Sequence, residues 1–276
     1  MGVKPLEYPE EVKGILSFDF DGTLFLPENE VSLEPIFYET IAGLRDEGWL
    51  WAINTGRSLL YMLEGFQQGG FPFAPDFLVA REREIYTAGD QFGRWHRVEE
   101  WHAHYMRDMA HFMEESAEFI EMMKRYIEDE TAAQWIEEEG DPAGIIASSE
   151  DEMLGIAAFV EQERQSYGLV GVLRNSIYMR FTHKDYHKGS SLQELARRVG
   201  VPVEQVFAIG DGHNDIDKLH PEVAGMIACV SNSQEEVKEY VRGHGGYVAE
   251  GHGSLGSVEA LRHYLGCEDK LLHRPL

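Results

Sequence analysis

Five short, almost unbroken apolar runs punctuate the chain, and each stops in a polar or glycine-rich turn: GILSFDFDG, LWAINTG, DFLVA, QVFAIGDG and GMIACVSN. Runs of this length without alternation describe strands buried on both faces. Between them the period becomes helical. In SLQELARRVG, Leu192, Leu195 and Val199 recur at three and four residues and Gly200 supplies the stop. Strand and helix in alternation predict βαβ units, hence an α/β fold with a doubly wound, Rossmann-like parallel sheet. Ligands of such sheets bind beyond the carboxyl ends of the strands, where the polar residues closing these runs would lie.

From about Arg81 to His183 the texture changes. FMEESAEFIEMMKRYIEDETAAQWIEEEGDP predicts long acidic amphipathic helices, and GLVGVLRNSIYMRF predicts strands. The expectation is a second α/β domain over residues 82–183, inserted into a core made of 1–81 and 184–276. Phe112, Phe119, Ile120, Met123 and Ile127 fit one helical stripe, read as core packing. Ser149 followed by Glu152 resembles a capping box opening the helix SEDEMLGIAAFVEQE. No internal repeat or low-complexity tract interrupts the chain.

Charge narrows the partners. Lys plus Arg number 24 against 49 Asp plus Glu, a formal charge of -25. Such a surface repels nucleic acid and acidic lipid headgroups, so neither is an expected partner. The hydrophobic fraction of 43% is ample for a buried core. Cys229 and Cys267 support neither a disulfide framework nor a thiolate metal site, which points to a reducing, cytoplasmic setting. The start, MGVKPLEYPEEVKG, carries no long apolar core, and Leu6 stands where a myristoylated Gly2 would want Ser or Thr. A soluble monomer or small homo-oligomer is expected.

Four segments carry residues suited to chemistry. In DFDGT, Asp19 and Asp21 are two apart, a spacing that puts both side chains on one side of a continuing strand, facing one ligand. In INTGRS, Thr55, Gly56 and the backbone beyond form a turn able to cradle a phosphate. Lys188, ahead of the helix in YHKGSSLQEL, could neutralise that phosphate. In FAIGDGHNDIDKL a buried strand stops at Gly210 and Asp211, Asn214 and Asp215 follow, an oxygen-ligand set that hard cations such as Mg²⁺ want. Each segment alone also has an ordinary reading, as an Asp-Gly turn, a Thr-Gly turn, a solvated lysine or a set of N-caps. Two acidic clusters ending separate buried strands are harder to explain without a metal.

Together, in this order, DFDGT, NTGR, Lys188 and GDGHND resemble the DxDxT, Thr/Ser, Lys and GDxxND motifs of the haloacid dehalogenase superfamily of phosphohydrolases. The insertion between the second and third motifs resembles the branch with a large α/β cap, which includes Cof-type and sucrose-phosphatase-like hydrolases. PDFLVAREREIY and CVSNSQEEV also look like the sucrose-phosphatase side of it. The resemblance implies a Mg²⁺-dependent phosphomonoester hydrolase acting on a small phosphorylated metabolite, a sugar phosphate above all. Asp19 would be the nucleophile and Asp21 the acid and then the base. Asp19 and Asp211, the Asp21 carbonyl and a nearby Asp215 would hold the metal. Thr55, Gly56, Lys188 and Asn214, with Asp19, would hold the transferring phosphoryl group.

The chain departs from Cof-type relatives at AREREI, where they often carry a small Asn-Gly or Gly-Thr turn. His102, His104 and His111 are read as surface or packing residues, and GHGGYVAEGHGSLG as a plain loop. Arg174, Asn175 and Arg180 read either as sugar-phosphate contacts or as solvent-facing. Three rivals remain. A receiver domain would run to about half this length and lacks the tandem DFDGT. A phosphosugar mutase would need a bisphosphate, and a binding protein would keep the motifs without turnover.

Overall fold

The computed structural model describes residues 11–26, 33–89, 94–137 and 143–266; Gly2, Leu6 and Cys267 lie outside them. In chain order the strands are β1 (Gly14–Phe18), β2 (Trp49–Asn54), β3 (Phe77–Ala80), β4 (Glu84–Ala88), β5 (Trp95–Arg97), β6 (Gln134–Ile136), β7 (Ala143–Ile146), β8 (Val170–Asn175), β9 (Tyr178–His183), β10 (Val206–Gly210), β11 (Met226–Cys229) and β12 (Tyr247–Val248). The α-helices are α1 (Pro35–Asp46), α2 (Leu59–Gln68), α3 (Glu99–Glu115), α4 (Ala117–Glu130), α5 (Glu150–Glu163), α6 (Lys188–Val199), α7 (Glu235–Gly243) and α8 (Gly253–Leu265).

The five apolar runs become β1, β2, β3, β10 and β11, neighbours in one sheet of order β12-β11-β10-β1-β2-β3-β4-β5. All pairings from β12 to β3 are parallel, as runs without alternation require when helices cover both faces. Register sets Phe18 beside both Ile53 and Ile209, so β1, β2 and β10 end level. The chain leaves β1 toward β2 on one side and has β10 on the other, which makes the end of β1 the switch point of the sheet. Below it, Phe18, Phe37 and Trp51 are fully buried and meet edge to face, the Phe18 and Phe37 centroids 5.4 Å apart. Arg45 of α1 pairs with Asp76, whose Oδ2 also accepts from the Trp51 amide at 3.0 Å, tying helix to sheet in the interior.

Two compact units divide the chain: Met1–Val98 with Lys188–Leu276, and Glu99–His187. The division falls later than the expected 82–183, because β4 and β5 extend the first unit's sheet as an antiparallel hairpin on β3. Their alternating polar residues suit a sheet edge solvated on one face. In the second unit β6-β7-β9-β8 form an antiparallel sheet with α3, α4 and α5. The expected single stripe is split at Ser116: Phe112 belongs to α3, and Phe119, Met123 and Ile127 to α4, all buried in one core. The acidic stretch does not stay helical to its end, since Gln134–Ile136 pair as β6. Ser149 caps α5 by accepting from the Glu152 amide at 3.2 Å, while Glu152 reaches the Ser148 amide at 2.6 Å rather than that of Ser149. Arg180 lines an open pocket on this sheet with Ile136, Ile145 and Tyr178. Nε of Arg174 donates to the Ser176 carbonyl. The stretch read as a plain loop before the C-terminus instead forms β12 and the start of α8, which the Gly253 amide anchors on Asn232 Oδ1 at 3.0 Å.

Candidate active site

β1 delivers Asp19 and β10 delivers Asp211 to adjacent strand ends. Beyond β10, Gly212 and a single 3-10 turn, His213–Asp215, fold Asp215 back so that its Oδ2 accepts from the amides of Asp211 and Gly212 at 2.9 and 3.0 Å. One carboxylate oxygen each of Asp19, Asp211 and Asp215 lies within 4.8 Å of the others. Thr23 Oγ1 donates to Asp211 Oδ1 at 2.6 Å.

Lys188 enters from the first turn of α6, whose apolar face of Leu192 and Leu195 is fully buried. Its ammonium is completely buried and donates to Asp19 Oδ1 at 2.8 Å and to Asp215 Oδ1 at 2.7 Å. Asn54 Nδ2 fixes the start of the same helix through the Lys188 carbonyl at 2.9 Å. A second buried cation, Lys218, sits 2.9 Å from the same Asp215 oxygen.

Three carboxylates face one firmly charged ammonium, Lys188, and Lys218, whose ammonium burial pushes down despite Asp215, so the cluster is short of positive charge. Burial, reinforced by Asp215, raises Asp19 to about 6. Burial, Asp19 and Asp215 together raise Asp211 to about 8. Asp215 moves the other way: burial opposes its ionisation, yet Lys188 and Lys218 hold it below the ordinary carboxylate range. Burial also opposes the charge on Lys188, but Asp19, Asp215 and Glu82 outweigh it and raise the ammonium. Carboxylates this close share a proton or a cation. A hard divalent ion fits the donor set, being all oxygen, anionic and convergent.

Asp21 does not face the same partner as Asp19. The strand ends at Phe18, the chain turns at Gly22 (φ +81°), and the Asp21 carboxylate leaves the trio to meet Arg57 in a bidentate pair at 2.7 and 2.6 Å. Arg57 lies over the Phe20 ring at 4.8 Å and is the residue after the Thr55–Gly56 turn. Thr55 is buried beside it, and its Oγ1 accepts from the Arg57 amide at 3.2 Å. Asn214 Nδ2 donates to Glu82 Oε1 at 2.6 Å. So Asp19, Lys188, Asp211 and Asp215 are in direct or shared contact, Thr55, Gly56 and Asn214 are joined to them through neighbouring turns, and Asp21 is set apart on Arg57.

Sequence reasoning missed Thr23, Arg57, Glu82 and Lys218. Thr23 stood inside the quoted DFDGT and Arg57 inside NTGR, so their motifs already pointed at them. Lys218 follows Asp215 by three, the spacing of neighbours on a helical turn. Glu82 stood inside the departing AREREI turn, but nothing local pointed to its partners Thr55, Ser191 and Asn214, which are far away along the chain.

Residues 76–253 match a family described as haloacid dehalogenase-like hydrolase. The chain belongs to that family of hydrolases. Over 97 residues it is 33% identical to a phosphoglycolate phosphatase of Methanothermobacter thermautotrophicus, a match covering 35% of this chain and 41% of the relative. A phosphoglycolate phosphatase of Methanosarcina acetivorans is 40% identical over 75 residues, 27% of this chain and 30% of the relative. The chain thus spans less than half the length of these relatives. Among solved structures, the sucrose-phosphatase of Synechocystis sp. PCC6803, in complex with sucrose and phosphate, has a TM-score of 0.71 at 18% identity, covering 92% of this chain and 98% of that one. A HAD subclass IIB sugar phosphatase has a TM-score of 0.55 at 18% identity, covering 91% and 98%. These two likenesses speak to the fold. Among the described residues no helix is long and apolar enough to cross a membrane.

Proposed function

We propose that this chain is a Mg²⁺-dependent phosphatase that hydrolyses the phosphomonoester of a small metabolite, a sugar phosphate, through an aspartyl-phosphate. One observation carries the reading: the Asp19 carboxylate, at the switch point of the sheet, is held at 2.8 Å by the buried Lys188 and ringed by Asp211 and Asp215. The phosphatase names of the sequence relatives agree with it.

In this reading an Asp19 oxygen attacks phosphorus in line and the ester oxygen departs on the opposite side. Asp21 gives that oxygen its proton and later takes one from the water that opens the acyl phosphate. To do so the Asp21 carboxyl must leave the two-point grip of Arg57. Thr55 Oγ1, the Gly56 amide, Lys188 and Asn214 hold the phosphoryl oxygens as charge builds on them. Asp19, Asp211 and Asp215, with the Asp21 carbonyl, would hold Mg²⁺, which supplies positive charge for the phosphate and relief for the three carboxylates. Residues Glu99–His187 would form the cap domain that helps select the substrate, and the protein would act in the cytoplasm as a monomer or small homo-oligomer without nucleic-acid partners.

The test is phosphate release from a panel of esters, including sucrose 6-phosphate and phosphoglycolate, with Mg²⁺ and with excess EDTA. Release from sugar phosphates that stops on chelation and in Asp19→Asn is the expected result. Folded protein that releases nothing from any ester overturns the reading.

A further inference from the structure

The AREREI turn, where the chain departs from its look-alikes, puts a carboxylate beside Gly56 and Asn214, two of the groups proposed to hold the phosphate. Arg81 (φ +48°) and Glu82 (φ +66°) both stand in the left-handed region that favours glycine. The turn is tied down on each side. The Arg81 amide donates to the Arg57 carbonyl and the Glu82 amide to the Thr55 carbonyl, both at 2.9 Å. Ser191 Oγ, from α6, donates to the Glu82 carbonyl at 2.9 Å. A left-handed backbone is costly for residues other than glycine, and these hydrogen bonds hold it in place.

That side chain is 6% exposed. Its Oε1 accepts from Asn214 Nδ2 at 2.6 Å and lies 3.6 Å from where a Cβ on Gly56 would stand. Glu82 therefore touches the surroundings of two groups assigned to the phosphoryl oxygens, and its field also reaches Lys188. An ionised carboxylate only accepts, so with Glu82 ionised the Asn214 amide presents its NH₂ to it. When ionised, the same carboxylate places a negative charge beside the turn proposed to hold the phosphate, where like charges repel.

We propose that Glu82 is a discriminating and positioning residue: its hydrogen bond orients Asn214, and its charge limits how tightly the pocket holds a free phosphate dianion. The inference rests on the phosphatase reading above. Its consequence is easy release of the inorganic product, because the repulsion remains after the ester is gone.

Glu82→Gln keeps the size and an acceptor for Asn214 and removes only the charge. Glu82→Gly also removes the charge, suits the left-handed backbone, and releases Asn214. Product inhibition by inorganic phosphate and calorimetric titration with inorganic phosphate, both at saturating Mg²⁺, read the effect. In Glu82→Gln phosphate should bind about tenfold or more tightly, roughly the effect of 1.4 kcal/mol; in Glu82→Gly the gain should be smaller, more than twofold, because Asn214 is then unheld. kcat should fall further in Glu82→Gly, where Asn214 is unheld. Phosphate affinity within twofold of wild type, or weaker, in both folded variants overturns the proposal while ester hydrolysis by the wild type stands. Wild-type protein that neither hydrolyses esters nor binds inorganic phosphate overturns the phosphatase reading, and this inference with it.

Discussion

Gly22 shows how one residue lets the site exist. With φ +81° it turns the chain out of β1, and a Cβ at this position would collide with the Asp211 carboxylate. Gly22→Ala meets two penalties at once, a left-handed backbone and a displaced Asp211. The expected outcome is a loss of stability of about 1–3 kcal/mol and a fall in kcat/KM of about a hundredfold, measured by thermal unfolding and phosphate release. The carboxylates also set a pH dependence. Asp19 and Asp211 are raised to about 6 and about 8 in the fold but titrate near the ordinary 3.8 when unfolded. Between those values the folded state binds more protons than the unfolded one, so stability falls as pH rises. Asp215, held low, contributes the opposite slope, and its share is lost only in acid. In EDTA, Tm should fall from pH 5 to pH 9. Mg²⁺ should raise Tm most at the alkaline end, where it replaces protons already lost, and a Mg²⁺ shift that is flat with pH would contradict the cation site.

At the scale of elements, what was legible in the sequence followed from how a parallel sheet is covered. Strands buried on both faces write continuous apolar runs, so β1, β2, β3, β10 and β11 and the residues at their ends could be read directly. Edge elements write weaker patterns. The hairpin β4–β5 looked like the start of the inserted domain because its residues alternate, and β12 is too short to register against its glycines. The placing of Asp21 has a related reason: the two-residue rule holds only while a strand continues, and β1 stops at Phe18, so the Asp21 carboxylate meets Arg57. Arg57 and Glu82 stood inside quoted motifs, but their partners, Asp21 and Asn214, are contacts that no local pattern encodes. The buried pair Arg45–Asp76 is another such contact, joining α1 to β2 through the Trp51 amide. Asp76→Ala leaves a buried guanidinium and an orphaned amide, so a loss of about 3–5 kcal/mol is expected. Chemical denaturation should show it as a lower midpoint with an unchanged m-value, and an unchanged midpoint would mean that the pair contributes nothing.

The whole molecule sets the site against its surroundings. A formal charge of -25 surrounds a pocket whose proposed ligand is a phosphate dianion. Far from the protein a substrate meets net repulsion; close to, it meets Lys188, Lys218 and, in the proposed holoenzyme, Mg²⁺. The two fields differ in range. At about 0.01 M salt the screening length is about 30 Å, and at about 0.1 M it is about 10 Å, so salt weakens the distant repulsion while buried cations a few ångströms from the phosphate are little affected. Electrostatic attraction makes association fall with ionic strength, and repulsion does the reverse. With Mg²⁺ kept saturating, kcat/KM should therefore rise as KCl is added from about 10 to 200 mM, with kcat nearly constant because the bound phosphate is already inside the short-range field. If kcat/KM instead falls over that range, the approach is governed by the local cations, and the acidic surface has no part in substrate capture.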